Sequence, residues 1–294
     1  MNKRVRRLAS IFMVAIFLAA GWAAAGGDVG PEKGHLVVVG GAMRDEAIVK
    51  RFIELAGGPD ALIVYIPTAA GGQRYDDTFP GVEQFRRAGA KNVKLLHTYD
   101  RGVADSEEFV KPLQEARGVF FGGGRHWRLT DAYLNTRTHR ELQALLDRGG
   151  VIGGTSAGAT VLGSFMVRGD TRGNTIMVGD HIEGLGFLRN VTVDQHVLRR
   201  NRQFDLIDVI EKHPELLGIG IDEDTAIVIT GDEFEVIGRS YVMIYDTQRM
   251  IPPAGRFYFL APGDRYNLKT RQATRRGAGG DEGPFSRVVQ QKWQ

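Results

Sequence analysis

Five short apolar runs shape the first half of this chain: HLVVV from His35, ALIVYI from Ala61, NVKLL from Asn92, GVFF from Gly118 and VIGG from Val151. They are rich in β-branched residues and mostly lack the polar alternation of a half-exposed strand. Such runs suit strands covered on both faces, the condition of a parallel sheet. Segments with helical periodicity lie between them: RDEAIVKRFIELAGG, which stops at Gly57-Gly58, then FPGVEQFRRAGA, SEEFVKPLQEA and RTHRELQALLDRGG. Strands alternating with helices at this spacing predict an α/β domain with its parallel sheet between helices.

Beyond Ser156 the pattern changes. NVTVDQH alternates as a strand, FDLIDVIEKHPELLG reads as an amphipathic helix, and GIGIDEDTAIVI, EFEVIG and SYVMIYD read as strands of a mixed or antiparallel C-terminal extension. GRFYFLAPGDRYNL has the look of a late hairpin. No linker divides the chain, so the expected organisation is one catalytic domain over residues 26–268. A Gly- and charge-rich tail over 269–294 is expected to be flexible.

The first 25 residues are a separate object. They carry Lys3, Arg4, Arg6 and Arg7, an apolar run from Ile11 to Ala20, and small residues at Ala23 and Ala25. This is the layout of a secretory signal peptide, and it predicts a secreted or periplasmic protein. The apolar run is short for a membrane span, which needs about 20 residues, so no stable membrane anchor is expected. The net charge of +3 falls to −1 once those four cations are set aside, which gives no reason to expect a nucleic-acid partner. The chain has no cysteine, so disulfides, a thiol nucleophile, a thiolate metal site and a lipoprotein anchor are all excluded.

GTSAG, Gly154 to Gly158, fits the pattern G-x-S-x-G. In that pattern the serine sits on a sharp turn between strand and helix, its hydroxyl exposed among residues too small to screen it. A serine nucleophile needs a base. His35 and His97 mark strand ends, His139 and His213 lie in charged helical surroundings and read as solvated, and His181 follows a loop. His126 belongs to the glycine-rich GGGRHW turn. His196 closes VTVDQH at a strand end, where open parallel sheets bind ligands, and Arg199, Arg200 and Arg202 follow it. A third member should be a carboxylate that orients the imidazole, and IDEDTA offers Asp222, Glu223 and Asp224.

Four motifs in this order, FFGGG, GGTSAGA, DQH followed by Arg200-Asn201-Arg202, and GIGIDEDTA, resemble those of cyanophycinases, which stand with peptidase E in the S51 serine peptidases. The resemblance runs from about Gly34 to Leu268. It implies a flavodoxin-like sheet, similar to class I glutamine amidotransferases, that carries a nucleophile elbow. It also implies Ser156 as nucleophile, His196 as general base, and Glu223 as orienting acid from its place in IDEDTA. The amides of Ala157 and Gly123 would form the oxyanion hole. Neither a metal nor an organic cofactor is implied. The implied substrate is a peptide or cyanophycin-like polymer, cleaved at aspartyl or isoaspartyl bonds; the sequence leaves the oligomeric state open, a homodimer among the options.

Arg125, His126, Asp194, Gln195, Arg200 and Arg202 are the residues expected to bind substrate, with an arginine available to grip a carboxylate. Two departures from the cyanophycinase pattern bear on that. FFGGGRHW places Arg125 and His126 where Asp and Gln usually stand, and Asp205 replaces the third arginine after DQH. The serine chemistry is intact by this reading, and the substrate is the part in question. A non-catalytic module that binds acidic peptides on the same scaffold, and an esterase of another class, are the competing readings.

Overall fold

The computed structural model describes residues 29–248 and 255–276. The parallel core is built from β1 (His35–Val39), β2 (Ile63–Ile66), β3 (Val93–Leu95), β4 (Gly118–Phe121) and β5 (Val151–Thr155), laid out in the order β3-β2-β4-β5-β1. Between them run α1 (Glu46–Leu55), a 3-10 turn (Thr68–Ala70), α2 (Pro80–Arg87), α3 (Arg101–Ala104), α4 (Glu107–Glu115), α5 (His126–Tyr133) and α6 (Arg137–Asp147). This is the expected α/β architecture with a parallel, flavodoxin-like centre.

Alternation along each strand divides the core, since successive side chains point to opposite faces. Val37 and Val39 pack with Ile48, Val49 and Phe52 of α1 and with Val82 and Phe85 of α2. Leu36 and Val38 face the other way, into a cluster that includes Leu142, Leu145 and Leu146 of α6. Asp45 starts α1 by accepting from the Ala47 amide at 3.0 Å.

The C-terminal half departs from a simple extension. After β5 come α7 (Ala157–Thr160), β6 (Gly163–Phe165), β7 (Leu188–Gln195), α8 (Ile207–Lys212), β8 (Leu217–Ile221), β9 (Thr225–Thr230), β10 (Glu233–Gly238), β11 (Val242–Tyr245), β12 (Tyr258–Leu260), β13 (Arg265–Asn267) and β14 (Gln272–Thr274). β9, β10, β13 and β14 continue the main sheet beyond β1 as antiparallel strands. A second sheet of five strands, β12-β11-β8-β7-β6, forms beside it.

Two expectations are corrected here. GRFYFLAPGDRYNL is not a hairpin, because β12 pairs with β11 in the second sheet and β13 pairs with β10 in the first. The tail does not begin at 269, because β14 pairs with β13 from Asn267↔Gln272 to Arg265↔Thr274. Residues 1–25, read as a signal peptide, and 277–294 lie outside the described residues. No helix among the described residues is long and apolar enough to cross a membrane.

The two sheets meet at their strand ends. The amide of His196, just past β7, donates to the Gly40 carbonyl just past β1 at 2.8 Å, and the Asp224 amide donates to Gly41 at 3.0 Å. The Ser156 amide donates to Val39 at 3.1 Å. The C-terminal ends of β1, β5, β7 and β8 are thereby tied into one seam.

Candidate active site

Ser156 stands at the tip of β5 with φ 55° and ψ −117°. A side chain with positive φ costs on the order of 1–3 kcal/mol and persists only where the surroundings enforce it. Here glycines do so. A Cβ on Gly154 would lie 2.0 Å from the Gly158 carbonyl oxygen, and one on Gly158 would lie 2.3 Å from that of Phe121. The turn is too tight for any other residue, and the serine is its outermost point. The helix that follows, α7, is a single turn.

Ser156 Oγ lies 2.9 Å from Nε2 of His196, and Nδ1 of His196 lies 2.8 Å from Oε1 of Glu223. An ionised carboxylate only accepts, so Nδ1 carries the proton and Nε2 presents its lone pair to the serine hydroxyl. His196 is buried. Burial is the main cause that moves its pKa below the usual histidine value, and Arg200 and Arg202 push the same way while Glu223 opposes them. The imidazole is therefore neutral at pH 7 and able to take a proton.

The three acids of IDEDTA separate by their partners. Asp222 accepts from the amides of Leu198 and Arg199 at 3.1 and 2.9 Å and from Ser240 Oγ at 2.7 Å, which ties down the chain just past His196. Asp224 takes the amide and Nε of Arg44 and the amide of Asp45. Glu223 alone reaches His196, and its Oε2 lies 3.4 Å from Arg44. Arg44 was not singled out in the sequence, where it is one cation in a helix-start segment. Gly41 also escaped notice as a site residue, although it packs directly on the imidazole.

Gly123 lies beside the serine: a Cβ built there would be 3.2 Å from Cβ and 3.6 Å from Oγ of Ser156. Ala157 is the first residue of α7, so its amide lies at the open start of that turn. Two of the expected substrate contacts sit at the surface of this region. Arg200 is exposed, and its guanidinium is unpaired among the described residues. Arg125 is half-buried and donates to the carbonyls of Asp170 and Thr171 at 2.7 and 3.3 Å.

The others are buried. Asp194 is fully buried, with its oxygens on Arg168 Nε and Nη2 at 2.7 and 2.8 Å. It is a support for the strand end rather than a group free to meet substrate, which corrects its placement among the binding residues. Arg168 also holds Asp205 at 2.6 Å, so the acid that stands for the third arginine is already paired. Gln195, His126 and Arg202 form a buried line behind His196, with His126, expected to bind substrate, lying behind Gln195 at 1% exposure rather than open to a ligand. His126 is the first residue of α5, a helix the sequence reading did not foresee.

The remaining histidines are engaged elsewhere. His35 contacts Thr230, His97 contacts Thr68, and His181 lies between Asp180 and Asp131. His139 is not solvated as expected: its Nε2 lies 2.8 Å from the Leu185 carbonyl. Among the described residues no group of three or more His, Cys, Asp or Glu is arranged to hold a metal ion.

A serine on a strained turn, a neutral histidine and a carboxylate at an α/β strand-end seam define a serine-type hydrolase. The chain belongs to peptidase family S51, whose family model matches residues 36–237. It is 37% identical over 267 residues to a cyanophycinase of Geminocystis herdmanii, covering 82% of this chain and 96% of that protein. A cyanophycinase of Synechococcus elongatus is 36% identical over 266 residues, covering 82% of this chain and 81% of the relative. Among solved structures, a peptidase from an acI-B1 actinobacterium superposes with a TM-score of 0.62 at 27% identity, over 81% of this chain and 98% of the other.

Proposed function

We propose that this chain is an exported serine peptidase that hydrolyses aspartyl or isoaspartyl bonds, in cyanophycin or related β-aspartyl peptides, through an acyl-enzyme. The observation that carries this reading is the pair of contacts at 2.9 and 2.8 Å that join Ser156, His196 and Glu223. Ser156 Oγ attacks the carbonyl carbon while His196 Nε2 takes its proton, and Glu223 stabilises the imidazolium that forms. The amides of Ala157 and Gly123 receive the developing oxyanion. His196 then returns the proton to the leaving amine, and a water activated by the same histidine frees the acyl group.

Arg200, exposed and unpaired among the described residues, takes a substrate carboxylate in this reading, with Arg202 beside it. The names of the relatives support an aspartate-rich polymer or peptide substrate. Export rests on the basic, apolar and small-residue layout of residues 1–25. A homodimer belongs to the same reading and is checked by light scattering.

The test is turnover by the purified chain from Gly26 onward against cyanophycin and a panel of β-Asp and α-Asp dipeptides, with Ser156→Ala in parallel. Release of β-Asp-Arg by the wild type alone supports the polymer substrate, and cleavage confined to small peptides moves the substrate while keeping the mechanism. Equal turnover by wild type and Ser156→Ala would falsify the serine mechanism. Export is tested separately, by fractionating cells that express the full chain.

A further inference from the structure

Behind His196, a buried line of three side chains takes no part in the serine relay. One nitrogen of Arg202, Nη1, donates to the Gln195 backbone oxygen at 3.2 Å and to Gln195 Oε1 at 3.0 Å. Gln195 Nε2 lies 3.2 Å from Nε2 of His126. The exposures are 8% for Arg202, 2% for Gln195 and 1% for His126, so water does not dilute these contacts.

Donor and acceptor rules orient the whole line. A guanidinium has only donors, so the Gln195 atom that faces it is the carbonyl oxygen. The amide nitrogen then faces His126, and because that nitrogen only donates, His126 Nε2 must hold a lone pair. Flipping the amide would set donor against donor at Arg202. The proton of the neutral ring therefore lies on Nδ1, which has no partner among the described residues. Burial, followed by Arg168, Arg125 and Arg202, keeps this ring uncharged, with its pKa pushed down to about 3.

From this geometry we infer that His126 is a positioning residue, an acceptor locked in one tautomer that fixes the Gln195 amide and, through it, the Arg202 guanidinium beside His196. Arg202 spends one nitrogen on Gln195, and its other nitrogens make no hydrogen bond among the described residues. A carboxylate is the ligand that suits them, so His126 tunes substrate affinity without touching substrate. The kinetic consequence rests on the serine-peptidase reading given above. The tautomer does not.

The experiment has two arms on the full mature chain. In the first, nitrogen NMR of the histidine rings, with His126 assigned by its loss in His126→Gln, is expected to show protonated Nδ1 and bare Nε2, unchanged between pH 5.5 and 7.5. In Gln195→Glu the carboxylate accepts at both ends, so the ring is expected to become protonated at Nε2. Protonated Nε2 in the wild type, or a ring that ignores Gln195→Glu, overturns the inference even if no substrate is ever found. In the second arm, His126→Gln keeps an acceptor and is expected to leave KM near the wild-type value. His126→Leu removes the acceptor that holds the Gln195 amide and is expected to raise KM about 10-fold or more, with kcat nearly unchanged, the scale of the charge-assisted bond from Arg202 to a substrate carboxylate that is lost when the guanidinium is no longer fixed. Equal KM in both variants overturns the positioning role, and His126→Gln still reports if His126→Leu does not fold.

Discussion

Gly41 and His196 are in direct contact: a methyl group on Gly41 would sit 2.2 Å from Cε1 of the imidazole and 2.5 Å from Nδ1. Gly41 also holds φ +132°, a conformation that L side chains rarely adopt. Gly41→Ala must therefore push the ring off Ser156 or strain the backbone. A displacement of about 1 Å in a catalytic group costs on the order of 100-fold in rate. The expected outcome is a kcat loss of about that size in a folded protein, read by turnover together with thermal unfolding. Wild-type kcat in Gly41→Ala would show that the imidazole has room to spare.

Arg200 and Arg202 oppose a proton on His196, and burial does so more strongly. A general base works when neutral, so activity is lost as pH falls through the histidine pKa. Since that pKa lies below the usual 6.5, the acid limb of kcat/KM, which reports the free enzyme, is expected below pH 6.5. Arg200→Gln removes a cation that disfavours imidazolium, so the pKa rises and the limb moves to higher pH. A limb that stays put or moves down would remove Arg200 from the neighbourhood of the base.

Glu223 accepts the Nδ1 proton of His196 at 2.8 Å. In Glu223→Gln an amide nitrogen turned toward the ring would compete for the proton position and favour the tautomer that cannot accept from Ser156. The charge that stabilises imidazolium is lost as well. By analogy with the equivalent change in serine proteases, kcat is expected to fall about 10⁴-fold. Asp222→Asn and Asp224→Asn, measured beside it, are expected to fall far less, because those acids hold Leu198, Arg199, Ser240 and Arg44 rather than the imidazole.

Periodicity in β1 through β5 and the intervening helices made the parallel core legible, because each element announces itself within ten or so residues. Ser156 and His196 were legible for a related reason: both end apolar strands and carry local motifs. The choice of Glu223 over Asp222 and Asp224 was not, since consecutive acids differ only in which distant group each one reaches. Arg168 left no local signal either, for its partner Asp194 is 26 residues away. The second sheet was hidden because β7 and β8 have the composition of main-sheet strands. The hairpin expected around APGDRYNL followed its local turn residues, while pairing with β10 and β11 decided the outcome.

His126 also bears on stability. Its folded pKa of about 3 lies well below the ordinary 6.5. As pH falls below 6.5 the unfolded chain binds a proton that the folded chain refuses, so the unfolded state holds more protons and stability drops with falling pH. The loss runs at about 1.4 kcal/mol per pH unit through the window from 6.5 down to about 3. Urea unfolding at pH 7, 6 and 5 is expected to show a shallower decline in His126→Gln than in the wild type. Identical slopes would mean that His126 takes up its proton in the folded protein.

Arg168 and Asp194 are paired through two contacts of 2.7 and 2.8 Å, with side-chain exposures of 2% and 0%. Their worth differs according to what is removed. Arg168→Met strands Asp194 as a buried, unpaired carboxylate, and breaking such a pair from one side costs about 3–5 kcal/mol. Asp205 also loses its partner, but at 38% exposure water can solvate it. Removing both charges, in Arg168→Met with Asp194→Leu, eliminates the stranded charge and is expected to recover most of that loss, since desolvating two ions offsets much of their attraction. The coupling in the double-mutant cycle is the recovered loss plus whatever Asp194→Leu costs alone, so urea unfolding should give at least about 2 kcal/mol. Single-variant effects that simply add, to within about 0.5 kcal/mol, would show that the pair contributes nothing beyond its separate packing. Activity supplies the second readout: Asp194 directly precedes Gln195, so Arg168→Met is expected to raise KM even where the fold survives.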